Sequence, residues 1–141
     1  MPPPEAEYVS PLLSEAEVGR VWGGLPDALK EIVGDAVLTV WYGASSGLHP
    51  DLWYVDMGVG TGWLDRFMRE SVERGISRPG ETDLHVILPG RGVEVLLCHE
   101  SDVHVRGETE SAVRDVLDHP AFVALFGDHA FVPRPEVARG A

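Results

Sequence analysis

The sequence contains little cysteine and few basic residues, and both shortages narrow the possible functions. Cys98 is the only cysteine, so no disulfide can form within the chain and a zinc site built from several thiolates is excluded. Lysine and arginine number 11 against 23 aspartates and glutamates, which gives a formal net charge of -12 at pH 7. Because binding to phosphate groups requires a basic surface, we expect neither nucleic acid nor an anionic membrane as a partner.

Long apolar runs and the common catalytic motifs are also missing. No run approaches the roughly 20 apolar residues that cross a bilayer, and the beginning MPPPEAEYVSP has neither the basic nor the apolar part of a secretory signal. The sequence has no Walker loop, GxSxG, HExxH or CxxC motif. We therefore predict a cytoplasmic protein, assign no cofactor, and leave open whether it is an enzyme.

The residues that are present fit one folded domain. A chain of 141 residues, 44% of them hydrophobic, is long enough for one core. Both ends are rich in proline and polar residues. We predict a flexible proline-rich arm over residues 1–12, a single domain over residues 13–132 and a flexible tail over residues 133–141.

Periodicity and turn residues predict ten elements in the order ααββαβββαα. Ser14 and Glu17 form a capping-box pattern, which starts a helix at Glu15, and Gly23 and Gly24 are expected to divide the first helical region in two. The predicted strands are residues 36–42, 52–59, 83–88, 93–99 and 102–106. Their short connections favour antiparallel neighbours. The expected fold class is α+β, a single domain with a mostly antiparallel sheet of about five strands and helices on one face.

Two hairpins define the expected register of the last three strands. A four-residue loop PGRG places Leu88 opposite Val93 and Leu84 opposite Leu97. Strand edges at residues 36–42 or 102–106 would allow two copies of the chain to pair as a homodimer.

Potential metal ligands and proton carriers are concentrated in the stretch LLCHESDVHVRG. With a turn over residues 100–102, Cys98 pairs with His104, and Asp83 and His85 lie on the same face. A shift of this turn by one residue would move His104 to the opposite face. The predicted cluster therefore depends on one turn.

Two kinds of chemistry fit such a cluster. His85 and His104, with the carboxylate of Asp83, are candidate ligands for zinc or iron. Alternatively, a protonated histidine activates Cys98 as a thiolate, which makes His85, Cys98 and His104 candidate catalytic residues. The structural alternative is that the histidines face solvent and the cysteine packs as a small hydrophobic side chain. The sequence alone does not choose among these.

A second candidate site is the glycine-rich stretch YVDMGVGTGWL. Asp56, Gly58, Gly60 and Gly62 stand between an apolar strand and a helix, an arrangement that resembles the first motif of class I S-adenosylmethionine-dependent methyltransferases. The resemblance covers about eleven residues and implies that these four residues contact the cofactor. The family's acidic residue at the end of the following strand is missing, because DLHVILPG ends in proline and glycine. A sharp strand-to-helix turn is the structural alternative.

The leading functional hypothesis is a protein-binding module with an acidic surface, because the charge is strongly negative and catalytic motifs are missing. An immunity or inhibitor-type protein that recognises a basic partner is one concrete form. The alternatives are a small metal- or cysteine-dependent enzyme and a methyltransferase-like protein. Aromatic residues are dense in the first half of the chain, and we expect most in the core and some in a ligand pocket or on a partner surface. They are Trp22, Trp41, Tyr42, Trp53, Tyr54 and Trp63.

Overall fold

Residues 6–134 are described by this computed structural model, and they form a seven-stranded antiparallel sheet with four α-helices. The strands are β1 (Ala6–Val9), β2 (Val37–Tyr42), β3 (Met57–Gly60), β4 (Leu84–Leu88), β5 (Val93–Leu97), β6 (Val103–Gly107) and β7 (Val132–Pro133). The helices are α1 (Glu15–Val33), α2 (Leu64–Glu73), α3 (Glu110–Leu117) and α4 (Pro120–Phe126), with short 3-10 turns at Pro50–Leu52 and Thr61–Trp63. In space the strands follow the order β3-β2-β4-β5-β6-β1-β7.

These elements confirm the α+β class and the antiparallel sheet, and they correct the details. The described sheet has seven strands, not about five, and the element order is βαββαβββααβ instead of ααββαβββαα. Within residues 6–134, no helix is both long and apolar enough to cross a membrane.

A single helix, α1, replaces the two helices predicted on either side of the glycine pair. Its capping box is present, since Ser14 Oγ accepts from Glu17 N at 3.2 Å and Glu17 Oε1 accepts from Ser14 N at 2.8 Å. Pro26 lies inside the helix and removes one backbone donor. A continuous buried stripe along α1, which includes Leu25 and Leu29 at 0% exposure, provides the tertiary packing that keeps the helix intact.

Strand β1 lies within the segment expected to be a loose arm. It pairs antiparallel with β6, with Ala6 opposite Gly107 and Val9 opposite His104. Ala6 joins the hydrophobic core, and Glu7 is buried beside ion-pairing partners. These interactions offset the ordering entropy of a segment that looks polar in sequence. Residues 1–5 of the predicted arm and residues 135–141 of the predicted tail lie outside the described residues.

The predicted register of β4 and β5 is confirmed. Leu88 lies opposite Val93 and Leu84 lies opposite Leu97. Alternate residues of the strands pack with the helices in one hydrophobic cluster. On the four central strands these core residues are Leu38, Val40, Tyr42, Leu84, Val86, Leu88, Val93, Val95, Leu97, Val103 and Val105.

The predicted turn between β5 and β6 was wrong by one residue. Residues 99–101 form the turn, Cys98 N donates to Asp102 O at 3.0 Å, and His104 lies opposite Leu96, not Cys98. A three-residue hairpin loop needs a left-handed residue at its end, and Ser101 supplies it with φ 63°. Because the whole turn moves by one residue, the residue opposite Cys98 changes by two positions, from His104 to Asp102, and the alternation of faces is preserved. The expectation that such a shift would move His104 to the opposite face was therefore wrong, and Cys98 and His104 lie on the same face of the sheet.

Strand β2 separates two strands that run in the same direction. Both β3 and β4 pair antiparallel with β2, so the unit β3-α2-β4 is a crossover with an antiparallel strand inserted between its two parallel strands. The segments expected as dimerisation edges, residues 36–42 and 102–106, are interior because β2 and β6 each have two neighbours. Pairing of two copies through those edges is therefore excluded.

The connection between β2 and β3 is longer than predicted. The strand expected over residues 52–59 begins only at Met57, which leaves residues 43–56 as a loop (the 43–56 loop). Trp53 and Tyr54 belong to this loop instead of pairing across the sheet with Trp41 and Tyr42, although Tyr54 N donates to Tyr42 O at 2.7 Å.

Candidate functional site

The sheet face opposite the helices (the outer face) carries most of the candidate residues. Register places Trp41, His85, Leu96 and His104 in one row across β2, β4, β5 and β6. The adjacent row contains Ile87, Glu94, Arg106 and Glu7. Two of these carboxylates are almost fully buried, with Glu94 at 1% and Glu7 at 3% exposure. Buried charges require partners, and the outer face supplies them in two groups.

The first group is centred on Glu94. His85 Nδ1 donates to Glu94 Oε1 at 2.6 Å, and Arg106 Nε donates to Glu94 Oε2. Burial alone would raise the pKa of Glu94, but the hydrogen bonds from His85 and Arg106 outweigh it and lower that pKa. The His85 ring also stacks on Trp41, with the ring centres 5.1 Å apart. Both carboxylate oxygens of Glu94 are thus paired, one with His85 and one with Arg106, which is the arrangement of a structural ion-pair cluster.

The second group is centred on His104. Its Nδ1 donates to Glu7 Oε2 at 2.7 Å and its Nε2 lies 3.1 Å from Asp102 Oδ1. Burial works against the charged imidazole, but the two carboxylates outweigh it and raise the pKa of His104. Arg134 Nη1 also donates to Glu7 Oε2, at 2.9 Å. Burial alone would raise the pKa of Glu7, but the hydrogen bonds from His104 and Arg134 outweigh burial and lower that pKa. This group links β1, β6 and the segment after β7.

Cys98 lies next to the second group at the end of β5. The residue is 8% exposed, and its burial, with a contribution from the carboxylate of Asp102, raises the pKa of the thiol to about 12. A thiol with that pKa is protonated at neutral pH, whereas a nucleophilic cysteine must be a thiolate. On its other side, Cys98 Sγ is 3.8 Å from His99 Nδ1, which donates to Asp83 Oδ1 at 2.8 Å.

The predicted site residues are thus divided among separate groups. His85 pairs with Glu94, Asp83 pairs with His99, and His104 lies with Asp102 beside Cys98. Two sets of potential metal-ligand atoms lie within 4.8 Å of one another among the described residues. They are Cys98, Asp102 and His104, and Asp83, Cys98 and His99. Sequence reasoning placed Cys98 and His104 together and counted Asp102 among the potential ligands of the stretch, but it did not place Asp102 beside them and did not identify Glu7 as a partner.

The space near these groups is small. A cavity that Cys98 and Asp102 help to line has a volume of about 10 Å³, enough for at most one water molecule or ion. Larger open grooves of about 250 to 730 Å³ lie elsewhere. None of the candidate residues lines those three grooves. The cavity beside Cys98 is therefore too small for an organic substrate.

The glycine-rich stretch forms the edge strand β3 and a 3-10 turn before α2. Gly58 lies opposite Thr39 and Gly60 opposite Val37. Thr61 fastens the turn to the end of α1, since its Oγ1 donates to Gly34 O at 2.8 Å. A cofactor cleft of the nucleotide type lies between adjacent parallel strands, and here β2 occupies that position. These contacts favour a structural role for Gly58, Gly60 and Gly62, while Asp56 is exposed just before β3.

The 43–56 loop exposes three apolar side chains, of which sequence reasoning singled out only Tyr54. Leu52, Tyr54 and Val55 are 49%, 61% and 44% exposed, and the exposed carboxylates of Asp51 and Asp56 flank them. Tyr54 has a left-handed backbone with φ 61°, an uncommon conformation for a bulky residue. One sequence feature does indicate the acidic character of this loop, because no lysine or arginine occurs between Lys30 and Arg66.

Hydrogen bonds within the 43–56 loop and to the segment after α2 support the loop. Tyr54 OH accepts from Ala44 N at 3.2 Å, and Trp53 Nε1 donates to Leu48 O at 3.0 Å. Gly47 N donates to Ile76 O at 2.8 Å and joins the loop to the segment after α2. The exposed apolar residues are therefore carried on a hydrogen-bonded support.

Comparisons of the chain with protein-family models, with curated proteins and with solved structures found no match.

Proposed function

We propose that the protein is a binding module for a basic protein partner, and that the 43–56 loop is its principal contact. The observation that carries the proposal is the exposure of Leu52, Tyr54 and Val55 between the carboxylates of Asp51 and Asp56. Tyrosine anchors surrounded by polar residues are typical of the energetically important part of a protein interface. Long ordered loops on a rigid sheet are common carriers of binding function.

Charge determines the kind of partner. The whole chain has a formal net charge of -12, and the 43–56 loop contributes two aspartates and no lysine or arginine. Lysine and arginine on a partner would pair with these carboxylates, and the overall field would accelerate association. The concrete form of the proposal is an immunity or inhibitor-type protein that covers the basic surface of a toxin or nuclease. A reducing cytoplasm fits the single cysteine.

The enzyme alternatives have less support. Cys98 is a neutral thiol at neutral pH, and the cavity it helps to line holds no more than a water molecule or an ion. The glycine-rich stretch lies on an edge strand paired antiparallel with β2. These observations favour a binding module over a cysteine-dependent enzyme or a methyltransferase-like protein.

The test is affinity capture with the tag-free chain coupled to a resin, from a lysate of the source organism, at low and moderate ionic strength. Retained proteins are identified by mass spectrometry, and the complex is rebuilt from the purified partner. We expect a basic partner that the double variant Leu52→Ser, Tyr54→Asn fails to retain. Asparagine is chosen because it tolerates the left-handed backbone of Tyr54.

The matched control is Val123→Ser, which removes an apolar side chain that is 51% exposed and belongs to α4 instead of the loop. The control should retain the partner as well as the native chain does. Retention of only acidic or neutral proteins, or equal retention by the loop variant, contradicts the proposal.

A further inference from the structure

We propose that Cys98 Sγ, Asp102 and His104 Nε2 form a binding site for a divalent zinc-class ion, and that Glu7 orients His104 for this role. The three ligand atoms lie within 4.8 Å of one another. The site is independent of the 43–56 loop and of the protein-binding function proposed above.

The β5–β6 hairpin holds the three ligands at fixed positions. Cys98 follows β5 directly, and its N donates to the backbone oxygen of Asp102 across the turn. His104 lies on β6 two residues beyond Asp102, on the same face of the sheet. The turn itself is short and its conformation is fixed by the left-handed Ser101. Ligands on adjacent strands of a rigid hairpin need little rearrangement to meet at one ion.

The orientation of the His104 ring is that of a metal ligand. Glu7 accepts a hydrogen bond from Nδ1 at 2.7 Å, which fixes a proton on that nitrogen and directs Nε2 toward Asp102. A metal-bound histidine commonly donates its other ring N–H to a carboxylate, which orients the ring and increases its basicity. Arg134 donates to the same oxygen of Glu7 and so holds this carboxylate in place.

The ligand types determine the class of ion. A thiolate, an imidazole and a carboxylate favour zinc or a chemically similar transition metal, whereas magnesium and calcium prefer sites made only of oxygen atoms. Binding releases the proton of the Cys98 thiol and the proton on His104 Nε2, so affinity rises with pH. Three protein ligands leave the fourth tetrahedral position to water or to a neighbouring group. His99, whose Nδ1 lies 3.8 Å from Cys98 Sγ, is one such group.

The first experiment titrates the metal-free, tag-free full chain with Zn²⁺ in competition with a chromophoric chelator, and with Co²⁺ followed by absorbance. We expect one ion per chain and a thiolate-to-cobalt charge-transfer band in the near ultraviolet. Cys98→Ala should lose that band. His104→Ala should weaken Zn²⁺ binding at least about a hundredfold, and Glu7→Gln about 10- to 100-fold, as for an outer partner of a metal ligand.

The matched control is His85→Ala. His85 is a comparably buried histidine on the same face, paired with a glutamate, but it is not in the set with Cys98 and Asp102. Its loss should leave the zinc affinity and the cobalt band unchanged, and circular dichroism of each variant confirms that it is folded. Failure of the folded native chain to bind Zn²⁺, or retained binding in the folded Cys98→Ala and His104→Ala variants, overturns the proposal. Equal weakening by His85→Ala also contradicts it.

Discussion

His104 and Glu7, 97 residues apart in the chain, are joined by a 2.7 Å hydrogen bond between Nδ1 and Oε2. The bond connects β1 to β6 on the outer face of the sheet. Burial of a charged glutamate without a partner would destabilise the folded protein. The hydrogen bond from His104 therefore allows Glu7 to be buried in β1. The same bond fixes the ring orientation on which the proposed metal site depends.

Replacement of Glu94 by glutamine should destabilise the protein at neutral pH. The change leaves Arg106 without its negative partner, and removal of one member of a buried ion pair costs about 3 to 5 kcal/mol. Because the pKa of Glu94 is lowered in the folded state from its ordinary value of 4.5, its contribution is fully present above that value. The contribution is lost as the pH falls through the folded pKa.

Urea unfolding of the native chain and of Glu94→Gln between neutral and acidic pH measures this effect. The difference in free energy of unfolding should shrink as the pH falls below about 4.5. Glu70→Gln is the control, since Glu70 forms an exposed pair with Arg66 on α2 and such pairs contribute little. A difference that is constant with pH would contradict the assigned role of Glu94.

Substitution of Gly47 by alanine should disturb the support of the 43–56 loop. A Cβ at this position would overlap the carbonyl oxygen of Gly75, and such overpacking costs about 1 to 3 kcal/mol. Gly62→Ala is the control, because a Cβ there meets no atom within 4 Å. Urea denaturation should show a lower midpoint for the first variant only, and equal midpoints for the two variants would show that the loop is not packed as described.

Cys98 should react slowly with iodoacetamide in the metal-free folded protein. A thiol with a pKa of about 12 is thiolate in only about one molecule in 10⁵ at pH 7, and the thiolate is the reactive form. We expect alkylation at least about a hundredfold slower than in the urea-unfolded chain, where the pKa returns to about 8.5. Mass spectrometry of timed samples measures both rates, and comparable rates would indicate an activated cysteine.

S-adenosylmethionine should leave the melting temperature unchanged. A ligand present at about 100 times its dissociation constant stabilises a protein by roughly 2.7 kcal/mol, which a thermal-shift measurement detects. The antiparallel position of β3 beside β2 removes the cleft that the glycine-rich motif suggests. A dose-dependent increase that Gly58→Val abolishes would restore the methyltransferase-like alternative.

Local patterns predicted the central part of the fold well. Alternation in DLHVIL and VEVLL, together with the PGRG loop, was enough to fix which residues of β4 and β5 face each other. The capping box at Ser14 gave the start of α1. These features depend on interactions between near neighbours in the chain, which sequence patterns express directly.

Contacts between residues that are distant in the chain could not be predicted from these local patterns. The sequence of β1 is typical of a polar arm, and the strand is stabilised by the pairing of Glu7 with His104 and Arg134. Both partners are distant in the chain, so no local pattern indicates them. The glycine pair in α1 favoured two helices, but packing of the helix on the sheet overrides propensity. At the candidate site, the alternation of side chains along the strands correctly placed Cys98 and His104 on one face. Asp102 lies beside them because the turn covers residues 99–101, which places Asp102 opposite Cys98.

Hydrogen–deuterium exchange of the chain, alone and with the captured partner, tests the central claim that the 43–56 loop is the principal contact. The account predicts that the partner slows exchange most in residues 43–56, and that the protection weakens as ionic strength rises. Strong protection confined to other segments, with residues 43–56 unchanged, would contradict it.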